Sequence, residues 1–391
     1  MRRLKTQSER IIIEKPRLVD QNTLVCRFAC SEGIRHAFRT DTFVATYESR
    51  DLRQVAEPLL VIPLLANLAP VAWALGATIR VQSVDPVFFA ALHKIKEAFQ
   101  KMYPQIEWNG RILPDRLEAP PDYAAAKPAL LFSGGVDSIA SYLVHRLENP
   151  LLVTVLARTS SGKLPPGVPE QYAKCLEFAK RHGARFAPVM TNLTFFITPK
   201  GLPFGISWWQ KVRHGLAFLS LCAPLAPPES LGVVYIAATH TARSPMPWGS
   251  HPSIDNHVAW ASSVARHDCY DISRQQKIAL IAEHIQSEDP LLQIQICRRG
   301  PQYSNCSKCG KCCRTMIGLA AGGVDPNRHG FRLDQATLRH IRLRLLDRTF
   351  LKDANTRFMW RDIQQNLPDR PSVPIEGLEA FFDWFRSAPI S

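Results

Sequence analysis

The chain has 391 residues, 46% of them hydrophobic and 21% charged. That composition excludes a disordered or low-complexity polymer, and the length suggests two or three domains with a sizeable core. Lys and Arg number 48 against 34 Asp and Glu, a net +14 that points to a phosphate-bearing or polyanionic partner.

The basic start, Met1 to Arg17, is followed by no long apolar run, so no signal peptide is expected. Pro58 to Ile79 carries no charge over 22 residues, a length that could cross a bilayer. Pro63 and Pro70 lie inside it with Asn67 between them, and proline costs about 3 kcal/mol in a helix interior. Two short buried pieces are therefore expected, with membrane association as the alternative and no membrane partner in view. Phe88, Leu92, Ile95 and Phe99 then recur at helical spacing, with Lys94, Lys96 and Lys101 facing outward. Residues 1–113 read as an N-terminal α+β domain, and the Pro- and Ala-rich stretch 114–128 as a linker.

From residue 129 to 296 short apolar runs alternate with helical patterns. Ala129–Phe132, Leu151–Leu156, Arg185–Met190 and Gly232–Ala238 read as strands, and Ile139–Leu147, Glu170–His182 and Ser273–Ile285 as helices. This order predicts an α/β fold with a doubly wound parallel sheet. Residues 321–391 form a helical C-terminal extension that closes on an aromatic helix near Leu378–Phe385.

The most informative string follows the first of those strands: Ser133-Gly134-Gly135-Val136-Asp137-Ser138. Adjacent glycines let backbone come close to a ligand, and the amides opening a helix make an anion site. Ser133 and Ser138 could donate to phosphate oxygens, with Asp137 placed to hold Mg²⁺. The bland alternative is a turn in which Ser138 or Asp137 merely caps the helix. No Walker-type Gly-x-x-x-x-Gly-Lys-Ser/Thr is present. The string resembles the SGGxDS loop of the N-type ATP pyrophosphatases. That resemblance implies ATP as cofactor, its cleavage to AMP and pyrophosphate, and adenylation of an acceptor that a nucleophile then attacks.

Of ten cysteines, five fall between Cys297 and Cys313 and the other five are scattered in apolar surroundings. This fits a metal site in a reducing, cytoplasmic setting better than a disulfide framework. Cys297, Cys306, Cys309 and Cys312 have C-x8-C-x2-C-x2-C spacing, which suits tetrahedral Zn²⁺ in a structural knuckle over residues 297–320. Clustered structural thiols or a redox pair are the alternatives. Cys313 adjoins Cys312 and is read as a spare.

Together, SGGVDS and the four-cysteine spacing resemble the 7-cyano-7-deazaguanine synthases over about residues 128–320. The likeness is closer still to a longer branch of that family, some of whose members belong to antiphage defence operons. His214-Gly215, Gly249-Ser250-His251-Pro252, Ser273-Arg274-x-x-Lys277 and Asn305-Cys306 with Arg314-Thr315-Met316 all recur there and are present here. Two segments of the biosynthetic enzymes are missing. Ser250–His257 stands where Asp-Cys-Arg-Pro-Glu-Phe is usual, and Ala157-Arg158-Thr159 where an aromatic-Gly-Gln is usual. Those segments help hold the deazaguanine, so the acceptor is left open between such a molecule and a macromolecular carboxylate, with ammonia or an amine as nucleophile.

Arg274 and Lys277 share one helix face and could clamp the adenylate and departing pyrophosphate, or simply be solvated. His214 reads as a base, a phosphate donor, or a histidine satisfied inside the fold. His251 and Asp255 lie in a Pro-containing loop with the same ambiguity, and Trp208, Trp209 and Trp248 could stack a base or fill the core. Between Arg298 and Arg348 eleven Lys or Arg face three Asp, and Arg339, Arg342 and Arg344 fall on one predicted helix. That stretch could meet nucleic acid or an acidic protein partner, or be a solvated face. The expectation is an ATP- and Mg²⁺-dependent adenylating ligase, with an RNA-modifying pyrophosphatase or a non-catalytic nucleotide-binding component as alternatives.

Overall fold

The computed structural model describes residues 9–159 and 161–390, so the basic start up to residue 8 lies outside it. The architecture is α/β, built on one sheet of twelve strands among the described residues. Five of them run parallel in the order β12 (Ser263–Asp268), β10 (Leu231–Ala237), β7 (Lys127–Leu131), β8 (Leu151–Ala157) and β9 (Phe186–Thr191). The short β11 (Ala259–Trp260) closes one side as a hairpin with β12.

Helices cover both faces of this parallel part. Along β7 and β8, Ala129, Leu151 and Val153 enter one core while Leu130 and Leu152 enter another. Alternate residues of a strand point to opposite faces, so both faces are buried and the strands read as unbroken apolar runs. One core contains the helices Val136–His145, Val168–Arg181 and Arg274–Ser287 together with the C-terminal helices. The expected doubly wound pattern fits this arrangement.

The sheet continues through the N-terminal third. β4 (Thr42–Tyr47) pairs antiparallel with β9, joining Ala45 to Thr191 and Tyr47 to Val189. Beyond it lie β3 (Thr23–Cys30), β1 (Arg10–Ile13), β5 (Thr78–Val84) and β6 (Arg111–Leu117), with β2 (Arg17–Leu18) beside β3. The expected boundary at residue 113 falls inside β6, and the expected linker shrinks to 118–126, between β6 and β7. A single apolar core runs from Ile11 through Leu68 to Ala223 and Val234, so the N-terminal third shares its interior with the parallel sheet.

The uncharged stretch forms one turn, Glu57–Leu60, and a helix Ile62–Leu75 whose residues are buried from Ile62 to Trp73. Pro63 sits in the first turn, where a missing N–H costs nothing. Pro70, expected to break the segment, stays within the helix because burial on every side outweighs its penalty. Asn67 is the only polar side chain inside it, and Arg213 explains it. Nε and Nη2 of Arg213 donate to Asn67 Oδ1 at 3.0 and 2.9 Å, and Nη2 also donates to the Leu193 carbonyl at 2.5 Å. Among the described residues no helix is long and apolar enough to cross a membrane.

Candidate functional site

A cavity of about 380 Å³ opens where β7, β8, β9 and β10 end, between Phe132, Ala157, Thr191 and Ala237. Open parallel sheets offer ligands this crevice at the carboxyl ends of their strands. Its rim is the glycine loop. Gly134 has φ +72°, a conformation that costs other residues heavily, and Gly135 leads into the helix that starts at Val136. Ser133 is exposed there. The Ser138 hydroxyl lies 3.1 Å from the Gly135 carbonyl, to which it donates, and accepts from the Ser133 amide at 3.3 Å. Ser138 thus shapes the loop as well as bordering the cavity.

Asp137 is held by cations. Arg274 donates to both its oxygens at 3.0 and 3.2 Å, and Lys277 Nζ lies 4.0 Å away. Both come from the start of the helix Arg274–Ser287, whose first turn is fixed by a capping box between Ser273 and Gln276. Lys277 is 1% exposed, donates to the Ala238 carbonyl at 2.5 Å, and burial lowers its pKa. Arg314 lies close by, its pKa pushed down to about 10 by burial and then by Arg274. The buried Nε atoms of both Arg274 and Arg314 find no acceptor. Two donors without acceptors beside a glycine-rich loop at a helix start are what an oligophosphate would satisfy. Because Arg274 occupies both oxygens of Asp137, that carboxylate is not free to hold Mg²⁺ in this arrangement.

Beneath the loop, His214 faces the cavity from the end of an irregular π-helical turn, Trp209–Arg213. Burial lowers its pKa to about 4, and its Nδ1 has no hydrogen-bond partner. At neutral pH it is an uncharged imidazole, suited to hydrogen bonding and weak as a general base. The ordinary value is 6.5, so between pH 6.5 and 4 the unfolded chain takes up a proton that the folded chain refuses. Stability is therefore expected to fall across that window, level off below it, and fall less in His214→Gln. Denaturant unfolding of both chains from pH 7 to 4 checks this.

The segment Gly249–Pro252 presses on the same turn. Gly215 N–H donates to the Gly249 carbonyl at 3.1 Å, and Gly249 N–H to that of Gln210 at 2.8 Å. A Cβ on Gly215 would stand 2.5 Å from Gly249 O and 2.8 Å from Ser250 Cα, besides striking Asp255. Gly215→Ala is expected to cost about 1–3 kcal/mol, read as a lower midpoint of urea unfolding.

Asp255, an open candidate in the sequence, lies against Ser250 of the cavity wall, while Arg298, Gln171 and Thr239 were not evident there. Asp255 is 0% exposed, accepts from Ser250 Oγ at 2.6 Å, and faces His267 Nδ1 at 2.8 Å, while its other oxygen is unpartnered. Arg298, Gln171 and Thr239 also line the cavity. His240 is buried against Trp248 with neither ring nitrogen hydrogen-bonded. Trp208, by contrast, packs inside, near-parallel to Trp108, and His251 turns its Nδ1 to its own loop at Ser253.

The cysteine cluster forms as its spacing predicts. The sulfurs of Cys297, Cys306, Cys309 and Cys312 all lie within 4.8 Å of one another, with Cys306 and Cys312 3.9 Å apart. Four thiolates about 2.3 Å from one zinc ion stand about 3.8 Å apart, so the group fits a tetrahedral metal. Cys309 precedes the helix Gly310–Ala321, and the neighbouring Cys312 thiol draws its pKa down. Cys313 points away, toward the Ser307 carbonyl. Asn305 fastens the strap leading to the cluster. Its side-chain oxygen accepts from Ile296 and Cys297, and its amide donates to Ile294 and Gly330. The same strap reaches the glycine loop, where Gln295 N–H donates to the Gly134 carbonyl at 2.9 Å.

The arginines of the basic stretch are engaged locally. Arg344 pairs with Asp347 at 2.8 Å, Arg339 with Gln335 at 2.8 Å, and Arg342 lies over the Trp384 ring. Comparison with protein-family models, with curated proteins and with solved structures finds no match.

Proposed function

We propose that the protein is an ATP-dependent adenylating ligase of the kind its loop and cysteine spacing resemble, the 7-cyano-7-deazaguanine synthases. The observation that carries this reading is the pairing of a glycine loop at a strand–helix junction with two buried guanidinium Nε atoms that lack acceptors. In this reading the loop amides of Ser133 to Ser138 hold the pyrophosphate portion of ATP. Arg274, Lys277 and Arg314 offset the charge that builds as an acceptor carboxylate attacks the α-phosphorus. Pyrophosphate leaves, an acyl-adenylate forms, and ammonia or an amine then displaces AMP. Val153, Val155 and Ile236 form an apolar wall for the acceptor, with His214, Thr239 and Ser250 as its polar contacts. Mg²⁺ enters as the ion the nucleotide carries. The four cysteines hold one structural Zn²⁺, which braces the strap behind the loop without touching the reacting atoms.

The test is incubation with ATP, Mg²⁺, ammonia and a 7-carboxy-7-deazaguanine, with pyrophosphate and AMP measured. Equimolar release of the two is expected. Protein shown to bind ATP that releases neither, with that acid or with RNA or protein acceptors, would overturn the reading.

A further inference from the structure

A second cluster lies at the opposite end of the parallel strands, where β9 begins. His182 ends the helix Val168–Arg181, and His284 and Asp289 lie at and just beyond the end of Arg274–Ser287. Their ligand atoms all fall within 4.8 Å of one another. His182 Nε2 is 3.3 Å from His284 Nε2 and 3.5 Å from Asp289 Oδ2. We propose that His182, His284 and Asp289 bind a divalent cation of the zinc type, at a site separate from the four cysteines.

The outer contacts of His182 and Asp289 favour this. The Phe178 carbonyl lies 2.9 Å from His182 Nδ1, so that nitrogen carries the proton and Nε2 presents its lone pair. Arg146 Nη1, a donor only, lies 3.3 Å from His284 Nδ1, so Nε2 is freed for a metal when Arg146 turns wholly to Glu288 and Nδ1 donates to the Glu288 oxygen that lies 3.6 Å from it. Arg146 is itself held by Glu288 at 2.8 Å. Asp289 Oδ1 is taken by Arg181 at 3.0 Å and by the Leu291 amide at 3.2 Å, which leaves Oδ2 facing the histidines. That oxygen is buried with no hydrogen-bond donor, on a side chain 7% exposed. Metal–nitrogen bonds of about 2.0–2.1 Å in a tetrahedron set neighbouring ligands about 3.3–3.4 Å apart, close to the separations here. A small cavity of about 30 Å³ bordered by Arg181, His182 and Asp289 has room for a water as fourth ligand.

Two imidazoles, one carboxylate and a water suit Zn²⁺ or Co²⁺. The ion ties together the far ends of two helices. One of them carries Gln171 to the cavity, and the other carries Arg274 and Lys277.

Co²⁺ titration of the full, metal-stripped chain tests the site, because thiolate ligation gives a charge-transfer band that imidazole and carboxylate ligation lack. Two Co²⁺ per chain are expected, the second binding without any rise in that band. His284→Gln and Asp289→Asn should each bind one, with the thiolate band intact. One ion per chain in the unaltered protein with the band saturated, or a second ion that persists in both variants, would overturn the proposal. Should a variant not fold, pulsed EPR of Cu²⁺ bound to the unaltered chain with its cysteines filled by Zn²⁺ decides. Couplings to two histidine nitrogens support the site, and their absence sinks it.

Discussion

A Cys309→Ser chain is expected to lose the metal held by the cluster and at least about 4 kcal/mol of stability, since a structural zinc site contributes directly to folding. The effect should reach further than the knuckle. The strap 293–297 is fixed at one end by Asn305 beside Cys306, and at the other donates from Gln295 to the Gly134 carbonyl. Releasing the sulfurs frees the strap, and the glycine loop loses a brace. ATP affinity should therefore fall along with metal content and melting temperature, all three being measurable on one preparation. Cys313→Ser is the control, because that sulfur turns toward the Ser307 carbonyl and should leave metal and ATP binding unchanged. A Cys309→Ser chain that kept its metal and its melting temperature would contradict the assignment.

Lys277→Met is expected to slow pyrophosphate release by about 10²–10³-fold, the usual cost of removing one charged stabiliser from a water-excluded site. Methionine matches the buried length of lysine, so the chief structural loss is the hydrogen bond to the Ala238 carbonyl, about 1–3 kcal/mol. Separate measurement of ATP affinity and of the maximal rate distinguishes the two effects. A lost transition-state contact lowers the rate at saturating ATP, whereas a merely structural lysine lowers stability and leaves that rate alone. Because burial lowers the Lys277 pKa, the rate should also decline on the alkaline side at lower pH than a surface lysine would allow. The sign follows from desolvation, which disfavours the charged form.

What could be read in the sequence was local. Ser133 to Ser138 declare themselves because one strand–turn–helix supplies every group, and Cys297 to Cys312 because their short spacing already brings the four sulfurs together. What could not be read is built across distance. Asp255 meets His267 only because the β11–β12 hairpin folds one back on the other. Arg298 borders the cavity only because the strap passes behind the loop. Asn67 looked like a flaw in an apolar segment, and its reason, Arg213, lies 146 residues away. The boundary at residue 113 falls inside β6 because that edge strand, Arg111–Leu117, is largely exposed and carries charges and a proline in place of an apolar run. The antiparallel pairing of β4 with β9 is likewise set across distance and not by either strand alone.

That pairing also decides what can be cut away. β4 covers the Val189–Thr191 end of β9, and Arg50 Nη2 donates to the Phe186 carbonyl at its start. A shortened chain beginning near Lys127 would bare this row of backbone groups on an apolar strand, an open template for a second copy. The N-terminal third thus guards the sheet against self-association, and expression of the remainder alone should yield aggregates.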